Sequence, residues 1–207
     1  VEYLNGLVQH PVLNTEAREF LFRERRIHPA VVSWMGITSI SKPTPCWRHG
    51  KPYYDAPSLL FPYRDRNGRL MNVQSRYLGS EAGIPRFRFP SRSECRIYGL
   101  PVVERLKTGE GLWLSEGVTD CLALLSSGRK AIAIPGATLL KSEDVKLLAS
   151  LREEKKTVFH IYPDKDEAGE RLYRQLLQAA NEIGACLIRD ELPEGYKDFG
   201  QWWAHNT

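Results

Sequence analysis

The second half of the chain, from residue 110 onward, alternates short apolar runs with stretches whose apolar residues recur every three to four positions. The short runs predict buried strands, and the longer period predicts amphipathic helices. The predicted strands are Leu112–Leu114, Ala131–Ile134, Val158–Tyr162 and Cys186–Ile188. Helices are expected between them, and a short one is expected at Phe199–Ala204. This alternation predicts an α/β fold with a mainly parallel sheet flanked by helices.

The first half predicts a smaller α+β arrangement. Capping residues and apolar spacing predict helices at about 15–26 and 29–35. Residues 58–78 predict a β-hairpin, because Asn67-Gly68 lies between two β-prone runs and both residues tolerate a positive φ. Residues 38–57 carry four prolines and predict an irregular surface loop.

A basic and aromatic stretch follows the predicted hairpin. Within residues 86–89, arginine and phenylalanine alternate with a period of two. A strand with this pattern would present Arg86 and Arg88 on one face and Phe87 and Phe89 on the other. We therefore expect one cationic and one apolar face here.

Charge separates the two halves. Residues 1–100 contain 15 lysines and arginines and 8 acidic residues, a net charge of +7, whereas residues 101–207 contain 14 and 17, a net charge of −3. This asymmetry predicts that the first half binds a polyanion and that the second half uses carboxylates. The alternative is chance variation of a solvated surface.

Composition excludes several classes of protein. With 42% apolar and 26% charged residues, the chain is neither disordered, collagen-like nor a coiled-coil rod. It contains no apolar stretch of membrane-spanning length and no signal peptide, so we expect a cytoplasmic protein without a membrane partner. The chain begins at Val1 without a methionine, so we expect it to be a fragment of a longer protein.

The cysteines do not indicate a disulfide framework or a zinc ribbon, because the four of them are scattered without a CxxC pair. Cys46 and His49 have the spacing of two zinc ligands. No second pair lies near them in the sequence, so an ordinary loop is the default interpretation.

Carboxylates follow the predicted strands of the second half. Glu116 comes directly after the first strand with Asp120 four residues on, Asp164 and Asp166 follow the third strand, and Asp198 lies in a loop after the fourth. The functional crevice of an open parallel sheet lies beyond the carboxyl ends of its strands. Acids that converge there repel one another unless cations neutralise them. Oxygen ligands without histidine or cysteine favour Mg²⁺ or Mn²⁺ over zinc. Taken singly, each acid could instead be a loop residue or a helix cap.

These acids stand in motifs that resemble the Toprim domain, which DnaG-type primases, topoisomerases and some nucleases share. The motifs are Glu116-Gly117-x-x-Asp120, Pro135-Gly136-Ala137 and Asp164-x-Asp166-x-Ala168-Gly169. The segment Leu192–Asp198 resembles the one that follows the last core strand in primases.

The first half resembles the basic subdomain that precedes the Toprim domain in bacterial primases. The matching segments are Phe20–Ile27, Leu60–Arg69, Arg76-x-Leu78 and Pro85-Arg86-Phe87. The resemblance implies two domains, a basic nucleic-acid-binding subdomain over residues 1–105 and a Toprim catalytic domain over residues 106–207.

The chain departs from the family in three respects. The sequence contains neither the zinc-binding module nor the helicase-binding domain that flank the catalytic core in the family, and we expect both to have been trimmed. The family's final acid pair reads Asp198-Phe199-Gly200 here, so its second acid is missing. The unusual segment 38–57 suggests a primase of a mobile element, plasmid or phage.

The resemblance implies a DNA primase that synthesises short RNA primers from NTPs on single-stranded DNA, with Mg²⁺ or Mn²⁺ as cofactor. It implies Glu116, Asp164 and Asp166 as catalytic residues and principal metal ligands, and Asp120 and Asp198 as outer or second-site ligands. Glu116 is alternatively a general base. The rival interpretations are a Toprim-type metal-dependent nuclease and a nucleic-acid-binding domain with a decayed site.

The partners implied are the template, the RNA primer and NTPs, with a replicative helicase bound through regions outside this chain. The basic half would hold the template and primer. The residues expected to do so are Arg64, Arg69, Arg76, Arg86 and Arg88, with Tyr63, Phe87 and Trp47 stacking on unpaired bases.

Overall fold

The computed structural model describes residues 2–45, 52–90, 93, 97–134 and 140–207. The chain divides into two compact units, Val1–Cys95 and Arg96–Thr207. This division precedes the boundary expected after residue 105, because the intervening segment packs on the second unit. Tyr98 forms an antiparallel bridge with Ala133, and Val102 and Val103 are buried in the second unit's core.

The helices of the first unit begin and end where capping residues predict. They are α1 (Glu2–Val8), α2 (Thr15–Arg18), a π-helix (Glu19–Glu24) and α3 (Pro29–Met35). The Asn14 side chain accepts a hydrogen bond from the Ala17 N–H at 2.9 Å and so caps α2. The helix expected at 15–26 is confirmed, but its second part widens into the π-helix. Helix α1 had no counterpart among the predicted elements.

Two antiparallel sheets complete the first unit. The strands are β1 (Thr38–Ile40), β2 (Thr44–Pro45), β3 (Pro52–Tyr54), β4 (Ser58–Arg64), β5 (Leu70–Tyr77) and β6 (Phe87–Arg88). One sheet has the order β1-β4-β5-β6, and β2 pairs with β3 in the other. The expectation of an irregular segment at 38–57 was therefore wrong for β1, β2 and β3.

The predicted hairpin at 58–78 is confirmed, but its turn differs from the expected one. Of the Asn-Gly pair, Gly68 alone has a positive φ, of 82°. The carboxylate of Asp65 accepts the N–H groups of Asn67 and Arg69, each at 2.9 Å, and stabilises the turn. The turn is thus stabilised by the Asp65 carboxylate and does not require a positive φ at Asn67.

The second unit is built on a four-stranded parallel sheet, as predicted. Its strands are β7 (Gly111–Ser115), β8 (Ala131–Ala133), β9 (Val158–Ile161) and β10 (Leu187–Arg189), in the order β10-β9-β7-β8. The helices are a 3₁₀-helix (Leu100–Arg105), α4 (Val118–Ser126), α5 (Ser142–Lys155), α6 (Glu167–Glu182) and α7 (Phe199–Asn206). All four predicted strands and the terminal helix are present, with ends that differ by a few residues.

Alternate strand residues supply the core of the second unit. Leu112 and Leu114 of β7 and Phe159 and Ile161 of β9 are buried in one cluster. The cluster also contains leucines of the two longest helices, which are Leu148, Leu151, Leu172 and Leu176. Burying one side chain of this size contributes about 2 kcal/mol, so the core fixes the strand ends rigidly.

None of the helices among the described residues is both long enough and apolar enough to pass through a bilayer.

Candidate active site

The predicted catalytic acids lie at one edge of the parallel sheet. Strands β7 and β9 are neighbours, with Leu114 opposite Ile161 in their register. Glu116 directly follows the last residue of β7, and Asp164 and Asp166 follow β9. The carboxyl ends of parallel neighbours open on the same edge, so the fold brings these three residues together.

Asp164 is the acid most strongly affected by this environment. Its pKa is raised to about 7, first of all by burial of the carboxyl group. The negative charges of Glu116, Asp198 and Asp166 contribute to the same shift. No described residue forms a hydrogen bond to the Asp164 side chain. The ionised carboxylate of Asp164 is therefore not stabilised by a hydrogen bond from any described residue.

The carboxylate of Glu116 likewise has an oxygen without a hydrogen-bond donor among the described residues. Its Oε2 atom is buried and has no hydrogen-bond partner among the described residues. Burial raises the pKa of Glu116, and the charge of Asp166 raises it further, whereas Lys197 and Arg171 act in the opposite direction. A buried carboxylate oxygen without a donor is costly to keep and suits a group that binds a cation or accepts a proton.

Asp166 differs, because its oxygens are occupied. Its Oδ1 accepts the Gly169 N–H at 2.9 Å and caps α6, and its Oδ2 lies 2.9 Å from the Lys197 Nζ. The hydrogen bond from the Gly169 backbone and the one from Lys197 lower the pKa of Asp166. It is the carboxylate that ties the Asp164–Gly169 loop to helix α6 and to Lys197.

Close packing shapes that loop. A Cβ atom built on Gly169 would lie 2.3 Å from the carbonyl oxygen of Asp164 and 2.7 Å from its nitrogen. Backbone atoms cannot give way as a flexible side chain does. Glycine is therefore required where α6 passes beneath Asp164.

Asp120 and Asp198 hold the start of α7. The Oδ1 of Asp120 accepts the Gly200 N–H at 2.8 Å, and the Oδ1 of Asp198 accepts the Gln201 N–H at 2.7 Å. Each carboxylate therefore has one oxygen engaged by backbone. Their role as outer ligands remains a prediction.

The chemistry of the acids fits a hard divalent cation. Among the described residues, no three or more His, Cys, Asp or Glu side chains are arranged closely enough to hold a metal ion. The donors are nevertheless all carboxylates, the Oε2 of Glu116 is buried without a partner among the described residues, and burial and then like charges raise the pKa of Asp164. Mg²⁺ and Mn²⁺ bind such oxygens and keep several waters, so a few carboxylates suffice.

Arg76 is the most buried of the five predicted nucleic-acid-binding arginines. It is 9% exposed, and its guanidinium carbon lies 3.8 Å from the centroid of the Phe20 ring. Burial, with Arg25 and then Arg86 adding to it, lowers the pKa of Arg76 to about 10. The Arg76 Nε has no hydrogen-bond partner among the described residues. Stacking on the Phe20 ring thus stabilises the Arg76 guanidinium, whose Nε lacks a hydrogen bond to a described residue.

A cavity of about 500 Å³ adjoins this stacked pair. Arg76, Arg86 and Phe20 contribute to its wall, together with Glu16, Glu19 and Glu24. Arg86 itself is exposed. The structure therefore brings Arg76 and Arg86 together.

The remaining three arginines have different surroundings. The Arg64 Nη1 donates to the Gly68 carbonyl at 3.0 Å and supports the hairpin turn. Arg88 pairs with Asp55 at 3.1 Å, and Arg69 is exposed beside the turn. Of these three, Arg69 is the exposed one and is therefore the most accessible to a phosphate.

The predicted aromatic contacts are partly corrected. Phe87 is 40% exposed, so the expected apolar face of β6 is not buried, although Phe89 packs edge-on against Tyr63 at 5.1 Å. Tyr63 is 1% exposed and is unavailable for stacking on bases. Trp47, the Cys46–His49 pair and the motif Pro135-Gly136-Ala137 lie outside the described residues.

Sequence reasoning missed two residues that shape these sites, Lys197 and Phe20. Lys197 stands directly before Asp198 within the primase-like segment, which was the available signal. Phe20 carried no such signal, because only the tertiary fold places it beneath Arg76.

Stability of the metal-free protein should depend on pH through Asp164. Its folded pKa of about 7 exceeds the ordinary value near 4, so the folded state binds more protons between these limits. Stability contributed by this group therefore falls as pH rises from about 4 to about 7. Asp164→Asn should flatten the dependence of the free energy of unfolding on pH. The stability of the variant relative to the wild type should therefore increase between pH 5 and pH 8. Urea unfolding in the presence of a chelator measures this difference; parallel profiles for the two proteins would contradict it.

Comparison with known proteins finds a family likeness in the second unit. Residues 113–202 match the family model described as Toprim-like. No curated protein sequence matches the chain. The second unit is therefore similar to a Toprim domain, and its parallel sheet flanked by helices confirms the predicted fold class.

Solved primase structures share the fold of the chain as a whole. The DnaG primase catalytic domain bound to single-stranded DNA is 22% identical, with a TM-score of 0.71 over 99% of this chain and 75% of that one. The E. coli primase catalytic core is 22% identical, with a TM-score of 0.70 over 97% and 73%. The RNA polymerase domain of Mycobacterium tuberculosis primase DnaG in complex with double-stranded DNA is 16% identical, with a TM-score of 0.72 over 96% and 72%. The chain has the fold of a DnaG-type primase catalytic core, as its motifs predicted.

Proposed function

We propose that this chain is the catalytic core of a DNA primase, a nucleotidyltransferase that makes short RNA primers from NTPs during DNA replication. The observation that carries the proposal is the pair of partly buried acids Glu116 and Asp164 at the carboxyl edge of the Toprim-like sheet, where burial and neighbouring acids raise the pKa of both. The shared fold supports it, because primase domains with this fold include one bound to single-stranded DNA.

In the proposed reaction, the 3′-hydroxyl of the growing primer attacks the α-phosphate of an NTP. The new O3′–Pα bond forms as the bond from Pα to the bridging oxygen of the β-phosphate breaks, and pyrophosphate leaves. The chain's main tasks are to position these groups and to balance their charge. Glu116, Asp164 and Asp166 would hold Mg²⁺ or Mn²⁺, which supplies charge neutralisation at the attacking oxygen and the triphosphate.

Glu116 is also the candidate for accepting the proton of the 3′-hydroxyl. Its raised pKa makes it a better base than an ordinary glutamate, and its buried Oε2 has no donor to satisfy among the described residues. Asp166 is less suited to this task, because hydrogen bonds from Gly169 and Lys197 stabilise its charge.

Primer synthesis tests the proposal directly. The protein, with any upstream zinc-binding module of the full-length chain, is incubated with labelled NTPs, single-stranded DNA and Mg²⁺ or Mn²⁺. We expect short labelled RNA that requires NTPs, template and metal. Metal-dependent shortening of end-labelled DNA without NTPs would instead identify the nuclease. Loss of both activities together with absent Mn²⁺ binding would identify a decayed site.

The first unit, which contains the basic residues, should bind single-stranded DNA through Arg86, and this binding should depend on salt. Each phosphate neutralised by an arginine releases condensed counterions, so affinity falls linearly on a log–log plot against salt. Arg86→Ala should reduce the magnitude of that slope by about one. Arg88→Ala should change it less, because Arg88 is already paired with Asp55. Fluorescence anisotropy from 50 to 300 mM salt measures both slopes.

An unchanged slope for Arg86→Ala would show that this residue does not bind phosphate. The proposed function would then rest on the acidic site and the shared fold, without a contribution from Arg86.

Three further assignments stay predictions. They are a cytoplasmic location, a helicase partner reached through other regions of the full-length protein, and an origin in a mobile element.

A further inference from the structure

One lysine reaches directly into the acidic cluster. The Nζ of Lys197 lies 2.9 Å from the Oδ2 of Asp166. The positive charge of Lys197 also acts on Glu116 and Asp164, whose pKa values it lowers against the effect of burial.

The backbone of Lys197 is anchored on both sides. Its carbonyl accepts the N–H of Lys165 at 2.9 Å, and its own N–H donates to the Oε1 of Gln201 at 2.7 Å. The first bond ties it to the loop that carries Asp164 and Asp166, and the second ties it to α7. The fold therefore sets the position of the Lys197 backbone beside the acidic cluster, and its partly exposed side chain reaches Asp166 from there.

A metal ion at this site would meet an ammonium group already bound to one of its ligands. The Oδ1 of Asp166 accepts the Gly169 N–H, and its Oδ2 is held by Lys197. An ammonium group and a divalent cation that share this carboxylate repel each other, so each weakens the binding of the other.

We propose that Lys197 is a built-in counter-cation that occupies Asp166 in the metal-free protein and competes with the divalent cation for that carboxylate. The inference rests on the metal dependence of the proposed function. Lys197 would weaken the binding of the divalent cation. In the metal-free protein its positive charge would offset the repulsion among the acids.

Mn²⁺ binding to the full chain, measured by electron paramagnetic resonance of the free ion, tests the inference without any assay of activity. Removing the competitor in Lys197→Gln should tighten Mn²⁺ binding by about 2- to 10-fold, the range of a partly exposed ion pair with added charge repulsion. Lys197→Arg retains the charge and should stay within about twofold of the wild type.

Lys165→Gln is the matched control. It removes the same unit charge from the adjoining loop, but its Nζ binds the carbonyls of Pro193 and Leu192 and not a carboxylate. We expect a change of less than about twofold. A second control is the Asp166→Asn background, in which the contested carboxylate is absent and Lys197→Gln should have little effect.

Equal or weaker Mn²⁺ binding by Lys197→Gln would overturn the inference alone and leave the proposed function standing. An equal effect of Lys197→Gln in the Asp166→Asn background would also overturn it, since a general charge effect would then explain the result. Failure of both wild type and Lys197→Gln to bind Mn²⁺ would overturn the metal-dependent function and the inference together.

Discussion

Asp164→Asn should lower primer synthesis by about 10²- to 10³-fold at saturating Mg²⁺, the usual cost of removing one electrostatic group from a preorganised site. Burial and then the charges of the neighbouring acids raise the pKa of Asp164 to about 7. The proposed function accounts for a carboxylate in so unfavourable a place by assigning it to the binding of a divalent cation. The variant should lose synthesis without losing its fold, because the substitution relieves repulsion.

Two measurements belong with this result. Circular dichroism and the melting temperature in chelator should show a folded variant that melts at or above the wild-type temperature at pH 8. Asp144→Asn is the control, since the Asp144 Oδ2 only accepts the Lys141 N–H at the start of α5, at 3.0 Å. It should retain near-wild-type synthesis. Wild-type synthesis by Asp164→Asn would contradict the assignment of Asp164 to the catalytic site.

The same experiment on Asp166 should give a different stability result. Its role as cap of α6 and partner of Lys197 is lost in Asp166→Ala. A lost helix cap costs about 1 kcal/mol, so this variant should be both inactive and less stable. The structure thus separates two acids that the motif Asp164-x-Asp166 presents as equivalent.

Gly169→Ala should destabilise the second unit by about 3 kcal/mol or more, at the upper end for overpacking, and should abolish primer synthesis. The added methyl group would meet the carbonyl oxygen of Asp164 at 2.3 Å and its Cβ at 2.8 Å. Relief requires a shift of the Asp164–Gly169 loop or of α6. Either shift displaces Asp164 and breaks the cap that Asp166 provides.

Urea unfolding, which gives the free energy of unfolding, and primer synthesis together measure the effect. Gly6→Ala is the control, because nothing lies within 4 Å of the added methyl group and the residue is within helix α1. Replacing a helical glycine by alanine should be neutral or stabilising by up to about 1 kcal/mol. Unchanged stability and synthesis in Gly169→Ala would show that the loop can move without cost to the site.

The sequence by itself determined the parallel sheet and the side of it on which the acids lie. Strand and helix periods in the second half were strong, because β7, β8 and β9 are largely buried apolar runs and the helices between them bury apolar residues at helical spacing. The positions of Glu116, Asp164 and Asp166 directly after such runs then follow from the geometry of a parallel sheet. Local pattern and global fold agree in this part of the chain.

The first half was less predictable because its shortest strands depend on their partners. Strands β1, β2 and β3 have two or three residues each, and β2 and β3 include a proline, so no local period marks them. Pairing with β4 or with one another defines them. The hairpin was evident from its flanking strands, but the carboxylate of Asp65 decided its turn.

Only the tertiary structure decided which charged groups meet. Arg76 rests on Phe20, Arg88 is paired with Asp55, and Lys197 reaches Asp166, although each pair is distant in sequence. A periodic pattern reports which face of an element is buried, and it carries no information on which polar side chain of another element faces it. Those contacts, and the burial that raises the pKa of Asp164, arise when separate segments pack together, which is why the sequence indicated the acids but not their different roles.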